Sequence, residues 1–96
     1  MKSWFVRINP SRPTFDQEAT PAEHTLMARH FQYWTSLQKK GVCVCGGPVL
    51  DPRGTYDIFA LRAETRDDAL AFASADPSVQ AGLNTIEVTE MRLALL

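Results

Sequence analysis

The chain has 96 residues, 45% of them hydrophobic and 22% charged, and its ten lysines and arginines stand against eleven aspartates and glutamates, a net charge of −1. A chain this short buries only ~60–70% of the surface its unfolded form exposes and holds one core, so a single domain over residues 1–96 is expected and a fibrous or disordered chain is not. No stretch gathers the basic residues that a phosphate backbone requires, and none reaches the ~20 apolar residues of a membrane span, so neither nucleic acid nor a membrane is an expected partner.

Met1 to Val6 starts like an export signal, but Arg7 interrupts it before an apolar run of signal length accumulates. Ser3 to Asn9 alternates instead, with Trp4, Val6 and Ile8 on one side and Phe5, Arg7 and Asn9 on the other, the period-two pattern of a strand. Pro10, Ser11 and Pro13 end it, and Thr14 to Gln17 reads as a long loop. Thr20-Pro21-Ala22-Glu23 is a helix start, with Thr20 as N-cap, Pro21 at the first helical position and Glu23 closing a capping box. That helix is expected to reach about Lys40, where Gly41 stops it and Lys39 and Lys40 oppose the negative end of the dipole. At ~100° per residue, Leu26, Met27, His30, Phe31, Trp34 and Leu37 share its buried face.

Val42 to Cys45 reads as a short strand halted by Gly46-Gly47-Pro48, and Asp51-Pro52-Arg53-Gly54 as the turn of a hairpin into Thr55 to Arg62. Cys43 and Cys45, two apart on a strand, would place their Cα atoms ~6.6 Å apart, at the upper limit for a disulfide. They read as reduced, buried thiols, consistent with a cytoplasmic protein. Thr65 caps a second helix with Asp67 and Asp68 in its first turn and Ala69, Phe72 and Ala73 on its buried face. Asp76-Pro77 breaks that helix, Pro77 to Ala81 forms one more turn ending at Gly82, and Thr85 to Leu95 is the last strand.

The order predicts an α+β fold of ferredoxin-like βαββαβ topology, a four-stranded antiparallel sheet with two helices on one face. The other face, with Phe5 and Phe59 assigned to it, would be left uncovered, which makes a homodimer the expected assembly.

The first strand running into Arg12-Pro13-Thr14-Phe15, then His30-Phe31-Gln32-Tyr33-Trp34, Gly47-Pro48, Asp51-Pro52-Arg53-Gly54, Asp76-Pro77 and Ala81-Gly82-Leu83 together resemble the YciI-related (YCII) family. The resemblance spans nearly the whole chain and implies a dimeric α+β barrel acting on small organic molecules. Known activities in that family are scattered and include dehydrochlorination of a chlorinated hydroxyhydroquinone. By motif, the family's histidine on the first helix and its aspartate before proline fall on His30 and Asp76. The residues point the same way: His30 lies on the buried stripe, and Asp76 continues the inward series of Ala69, Phe72 and Ala73. A carboxylate that accepts from one imidazole nitrogen fixes the tautomer and leaves the other free to take or give a proton. Set against this, a histidine on an apolar face often serves packing alone, and Asp76 also suits the N-cap of the turn at Pro77.

Arg7, Tyr33, Trp34 and Gly47 are the candidate substrate-binding residues. Cys43, Cys45, His24 and His30 compose a zinc set on paper, but His24 and His30 are ~240° apart around one helix, so no metal is expected. No Gly-rich phosphate loop occurs, and no redox or nucleotide cofactor is implied. The sequence therefore leads to an enzyme using His30 and Asp76 for proton transfer in a lyase, isomerase or dehydrohalogenase-like step on a small cyclic substrate. A non-catalytic ligand-binding module and an accessory dimer remain as its rivals.

Overall fold

In a computed structural model describing residues 1–96, β1 (Lys2–Pro10) runs through the middle of a four-stranded sheet, flanked by β3 (Tyr56–Ala63) and β4 (Asn84–Met91). β2 (Cys43–Val49) pairs with β3 at one edge, giving the order β2-β3-β1-β4 with every pair antiparallel. This is the ferredoxin-like arrangement expected from the element order. The period-two pattern of β1 aims Trp4, Val6 and Ile8 at the helical layer, where all three are buried. Register carries the same face onto Leu61, Phe59 and Asp57 of β3.

The helical layer comprises α1 (Phe15–Glu18), α2 (Pro21–Lys39), α3 (Arg66–Ser74) and α4 (Pro77–Gln80). Thr20 and Glu23 form the capping box reciprocally: the Glu23 N–H donates to Thr20 Oγ1 and the Thr20 N–H to Glu23 Oε1. Arg12 reinforces it with a two-pronged contact to the Glu23 carboxylate, which holds that carboxyl down at about 2. Trp34 and Leu37 enter the core from α2, Ala69 and Ala73 from α3, and the Trp34 and Phe59 rings stack with centroids 4.0 Å apart.

Several expectations are corrected. Thr14 to Gln17 does not stay a loop, because Phe15 turns inward to bury its ring and carries a short helix with it. β2 continues through Gly46, Gly47 and Pro48. It is an edge strand, so proline's missing N–H can face away from the ladder, and Gly46 lies so close to Phe59 and the Ile58 carbonyl that a Cβ would overlap both. Phe59 belongs to the covered face and the core, not to the open face. Its place opposite Phe5 is taken by Ala60, with Ile58 beside Arg7. Phe31 is 68% exposed: the buried stripe of α2 is centred on His30, Trp34 and Leu37, leaving Phe31 at its margin. A register shift between Cys43 and Cys45 leaves the first thiol buried and the second exposed. β4 stops at Met91, since β1 pairs no further than Ser3 against Met91.

Candidate functional site

Three elements converge on the His30 imidazole. α2 delivers His30 and, one turn later, Trp34. The break between α3 and α4 delivers Asp76, which has no exposed surface and caps α4 by accepting from the Ser78 N–H and hydroxyl on Oδ1, both at 2.8 Å. Its other oxygen, Oδ2, lies 2.5 Å from His30 Nδ1 and accepts from Trp34 Nε1 at 2.7 Å. The structural and chemical readings of Asp76 thus meet in one carboxylate, with one oxygen committed to the cap and the other to the imidazole.

The second nitrogen of His30 is not free, contrary to expectation. Asp57 of β3 places Oδ2 3.1 Å from Nε2, so the ring is held between two carboxylates. Burial pulls the His30 pKa down, but the hydrogen bonds to Asp57 and Asp76 and the charges of both outweigh it and raise it to about 9. At neutral pH the ring is an imidazolium with both N–H groups donating. For Asp76, burial pushes the carboxyl up, and bonding to and the charge of His30, with the bonds from Trp34 and Ser78, more than offset this and leave its pKa lowered. The Phe59 ring edge closes another side of the imidazole, 5.8 Å between centroids.

Two hollows share His30, Phe31, Pro48 and Asp57 in their walls. The smaller, about 130 Å³, lies over β2 and is lined also by Trp34, Cys45 and Gly47. The larger, about 360 Å³, lies between α1, the start of α2 and the ends of β1 and β4, where Ile8, Phe15, Met27 and Asn84 add to the wall. A dry cavity of ~150 Å³ accepts a benzene ring, so the larger hollow has room for a substituted single ring and the smaller for a substituent or solvent. His24, ~240° from His30 by helical angle, nevertheless reaches the larger hollow because that hollow extends along the helix.

The other sequence candidates divide. Trp34 and Gly47 line the smaller hollow beside His30. Tyr33 lies elsewhere, its hydroxyl donating to the Phe72 carbonyl at 2.6 Å to tie α2 to α3. Arg7 is on the opposite face of the sheet, stacked 3.7 Å over the Tyr56 ring and bonded to Asn9. It does not reach His30, because alternation along β1 sends it away from the helical layer. Asp57, Ser78 and Asn84 were missed. Asp57 did carry a signal, an acidic residue two positions before Phe59 and four before Leu61 on a strand whose alternation points all three inward. Ser78 and Asn84 carried none.

A family model for the YCII-related domain matches residues 4–92. The chain belongs to the YCII-related family. Among solved structures, this family member resembles the 5-chloro-2-hydroxyhydroquinone dehydrochlorinase of Burkholderia phenoliruptrix in complex with 2,5-dihydroxybenzoquinone. The two are 25% identical over 93% of each chain, with a TM-score of 0.67. A cofactor-independent oxygenase from Streptomyces nogalater is more distant, at 16% identity over 98% of this YCII-related chain and 93% of the other, with a TM-score of 0.48. No curated protein sequence matches it. No helix is long and apolar enough to cross a membrane.

Proposed function

We propose that this chain is a small-molecule enzyme that moves a proton on a small cyclic organic substrate. His30 is the proton-carrying group, Asp76 its buried counter-ion and Asp57 the carboxylate facing the ligand. The observation that carries the proposal is the engagement of both imidazole nitrogens by carboxylates, at 2.5 and 3.1 Å, in a wall shared by two hollows. A charge this well compensated holds its proton at neutral pH and keeps a fixed orientation, which suits an acid rather than a base.

In this reading a ligand oxygen beside Asp57 takes the Nε2 proton while the Asp57 carboxylate takes one from an acidic O–H or C–H of the same ligand. The two transfers leave the ligand's proton count unchanged, which is a tautomerisation. The neutral imidazole then recovers its proton from the Asp57 carboxylic acid across the same 3.1 Å contact. Where the adjoining carbon bears a halogen, the electron pair freed by deprotonation becomes a new π bond as halide departs. The net change is loss of one proton and one halide, and the proton passes to water. The neighbouring dehydrochlorinase and its bound dihydroxybenzoquinone support a small oxygenated ring as the substrate class. Trp34 and Gly47 take the part of ligand-lining groups in the smaller hollow.

Two further features belong to the reading. The open face of the sheet, bearing Phe5, Ile58 and Ala60, is the surface through which the chain forms a homodimer. Free thiols at Cys43 and Cys45 suit a cytoplasmic site of action.

The test is anaerobic incubation with 5-chloro-2-hydroxyhydroquinone, following chloride and ring absorbance. Chloride release above the buffer rate, abolished by His30→Gln, is expected. Binding without conversion would make the chain a ligand-binding module instead.

A further inference from the structure

One buried polar atom of this molecule has no partner. Asn84, the first residue of β4, is 4% exposed and lines the larger hollow, and its Oδ1 accepts no hydrogen bond from the protein. The orientation of its amide follows from its neighbours. The Ser78 hydroxyl has a single proton and donates it to Asp76 Oδ1 at 2.8 Å, so towards Asn84 it can only accept. It accepts from Asn84 Nδ2 at 2.9 Å, and the same Nδ2 approaches Met27 Sδ at 3.5 Å. The chain Asn84 to Ser78 to Asp76 therefore fixes Oδ1 as the unsatisfied end. Buried acceptors are nearly always paired, and an unpaired one on a residue that lines a hollow points to a donor supplied by whatever occupies that hollow.

We propose that Asn84 is a specificity-determining residue: its Oδ1 accepts a hydrogen bond from a hydroxyl on an uncharged single-ring ligand seated in the larger hollow. This rests on the small-ring reading of the preceding subsection and names the group the ring must carry. The wall supports each part of the description. Ile8, Phe15 and Met27 offer an apolar body to the ring, and about 360 Å³ accommodates it with substituents. The charges disfavour an anion. Asp57 and Asp16 both line this hollow, Asp76 stands behind it, and the one facing imidazolium is already shared between two carboxylates. A ligand carboxylate would meet an excess of like charge, whereas a hydroxyl supplies the missing donor at no charge cost. Asn84 is also coupled through Ser78 to the carboxylate that holds His30, so a hydroxyl docked on it places the ring at a fixed distance from the acid.

The experiment is a binding cycle on the full chain labelled with ¹⁵N, read from the side-chain amide signals of Asn84 and the ring nitrogens of His30. Hydroquinone is compared with 1,4-difluorobenzene, which has nearly the same shape and no donor, and with 4-hydroxybenzoate, which adds a negative charge. Wild type is expected to bind hydroquinone at least tenfold more tightly than either, with the Asn84 signals shifting. In Asn84→Ala the advantage of hydroquinone over difluorobenzene is expected to disappear. Asn84→Ser serves as a second variant, and the wild-type comparison of ligands stands if neither variant folds. Equal affinity of wild type for hydroquinone and difluorobenzene, or an advantage that survives both substitutions, would overturn the assignment. No turnover is read, so failure of chloride release would sink the enzymatic reading without touching this result, and the reverse holds equally.

Discussion

Asp57 stands 3.1 Å from His30 Nε2, on the side of the imidazole away from Asp76. A histidine with one carboxylate has a spare nitrogen at which to pick up a proton; with two it is held in the charged form. In the proposed reaction the chemistry at neutral pH therefore starts from the acid, with Asp57 as the group that receives a proton.

That charge state is directly observable. The ¹⁵N shifts of the His30 ring are expected to remain those of an imidazolium through pH 8 and to titrate at about 9. Asp57→Asn is expected to lower the midpoint by at least one pH unit, since it removes a charge and keeps the shape. A wild-type midpoint near 6.5, the ordinary histidine value, would show that the paired carboxylates do not hold the proton.

Loss of the imidazole leaves Asp76 fully buried with its charge uncompensated, although Trp34 and Ser78 still bond to it. His30→Leu is accordingly expected to destabilise the fold by about 3–5 kcal/mol at pH 7, as measured by urea denaturation. Trp34→Phe removes one neutral donor and is expected to cost about 1–2 kcal/mol. Unchanged stability in His30→Leu would mean that Asp76 is neutral or solvated in the native protein.

The same pair sets a pH window for stability. The folded pKa of His30 is raised, so its contribution is complete below the unfolded value of about 6.5 and is lost as pH climbs through about 9, on the order of 3 kcal/mol in all. The folded pKa of Asp76 is lowered, so its contribution is complete above about 4 and is lost on acidification below that. Denaturation free energies are expected to be flat between about pH 5 and 6.5 and to decline on both sides. In Asp76→Asn the alkaline decline is expected to shrink, because one of the two carboxylates holding the imidazolium is gone.

Gly46→Ala is expected to destabilise by about 1–3 kcal/mol and to perturb the Trp34 ring signals, because the new Cβ would overlap Phe59, on which Trp34 stacks. A melting temperature equal to that of wild type would show that β2 yields freely at this point.

Sedimentation at micromolar concentration tests the expected dimer. Wild type is expected to sediment as a dimer and Phe5→Glu as a monomer, since Phe5 lies on the open face opposite Ala60. A monomeric wild type would remove the sheet face as an interface.

What could be read from the sequence followed the periodicities. Capping at Thr20 and Thr65, the break at Asp76-Pro77 and the alternation in β1 are local signals, and each fixed an element. Phe59 and Cys45 were misplaced because strand facing in β2 and β3 depends on register and on a bulge, which only the pairing partner defines. Phe31 was misplaced because helical angle gives a face but not where its margin meets open space. At the site, His30 and Asp76 were legible as inward polar residues on two elements. Asp57 shares the alternation of Phe59 and Leu61, but its contact with His30 became visible only when β3 was set against α2, and the orphaned acceptor of Asn84 only when the Ser78 hydroxyl was assigned.

The most direct test of proton transfer by a carboxylate-bound imidazolium is kcat/KM for dehydrochlorination of 5-chloro-2-hydroxyhydroquinone by wild type and His30→Gln between pH 6 and 10. Wild type is expected to be active at pH 7 and to lose about tenfold per pH unit above about 9, with His30→Gln slower by at least ~100-fold at pH 7. A folded His30→Gln protein with wild-type kcat/KM at pH 7 would contradict the account.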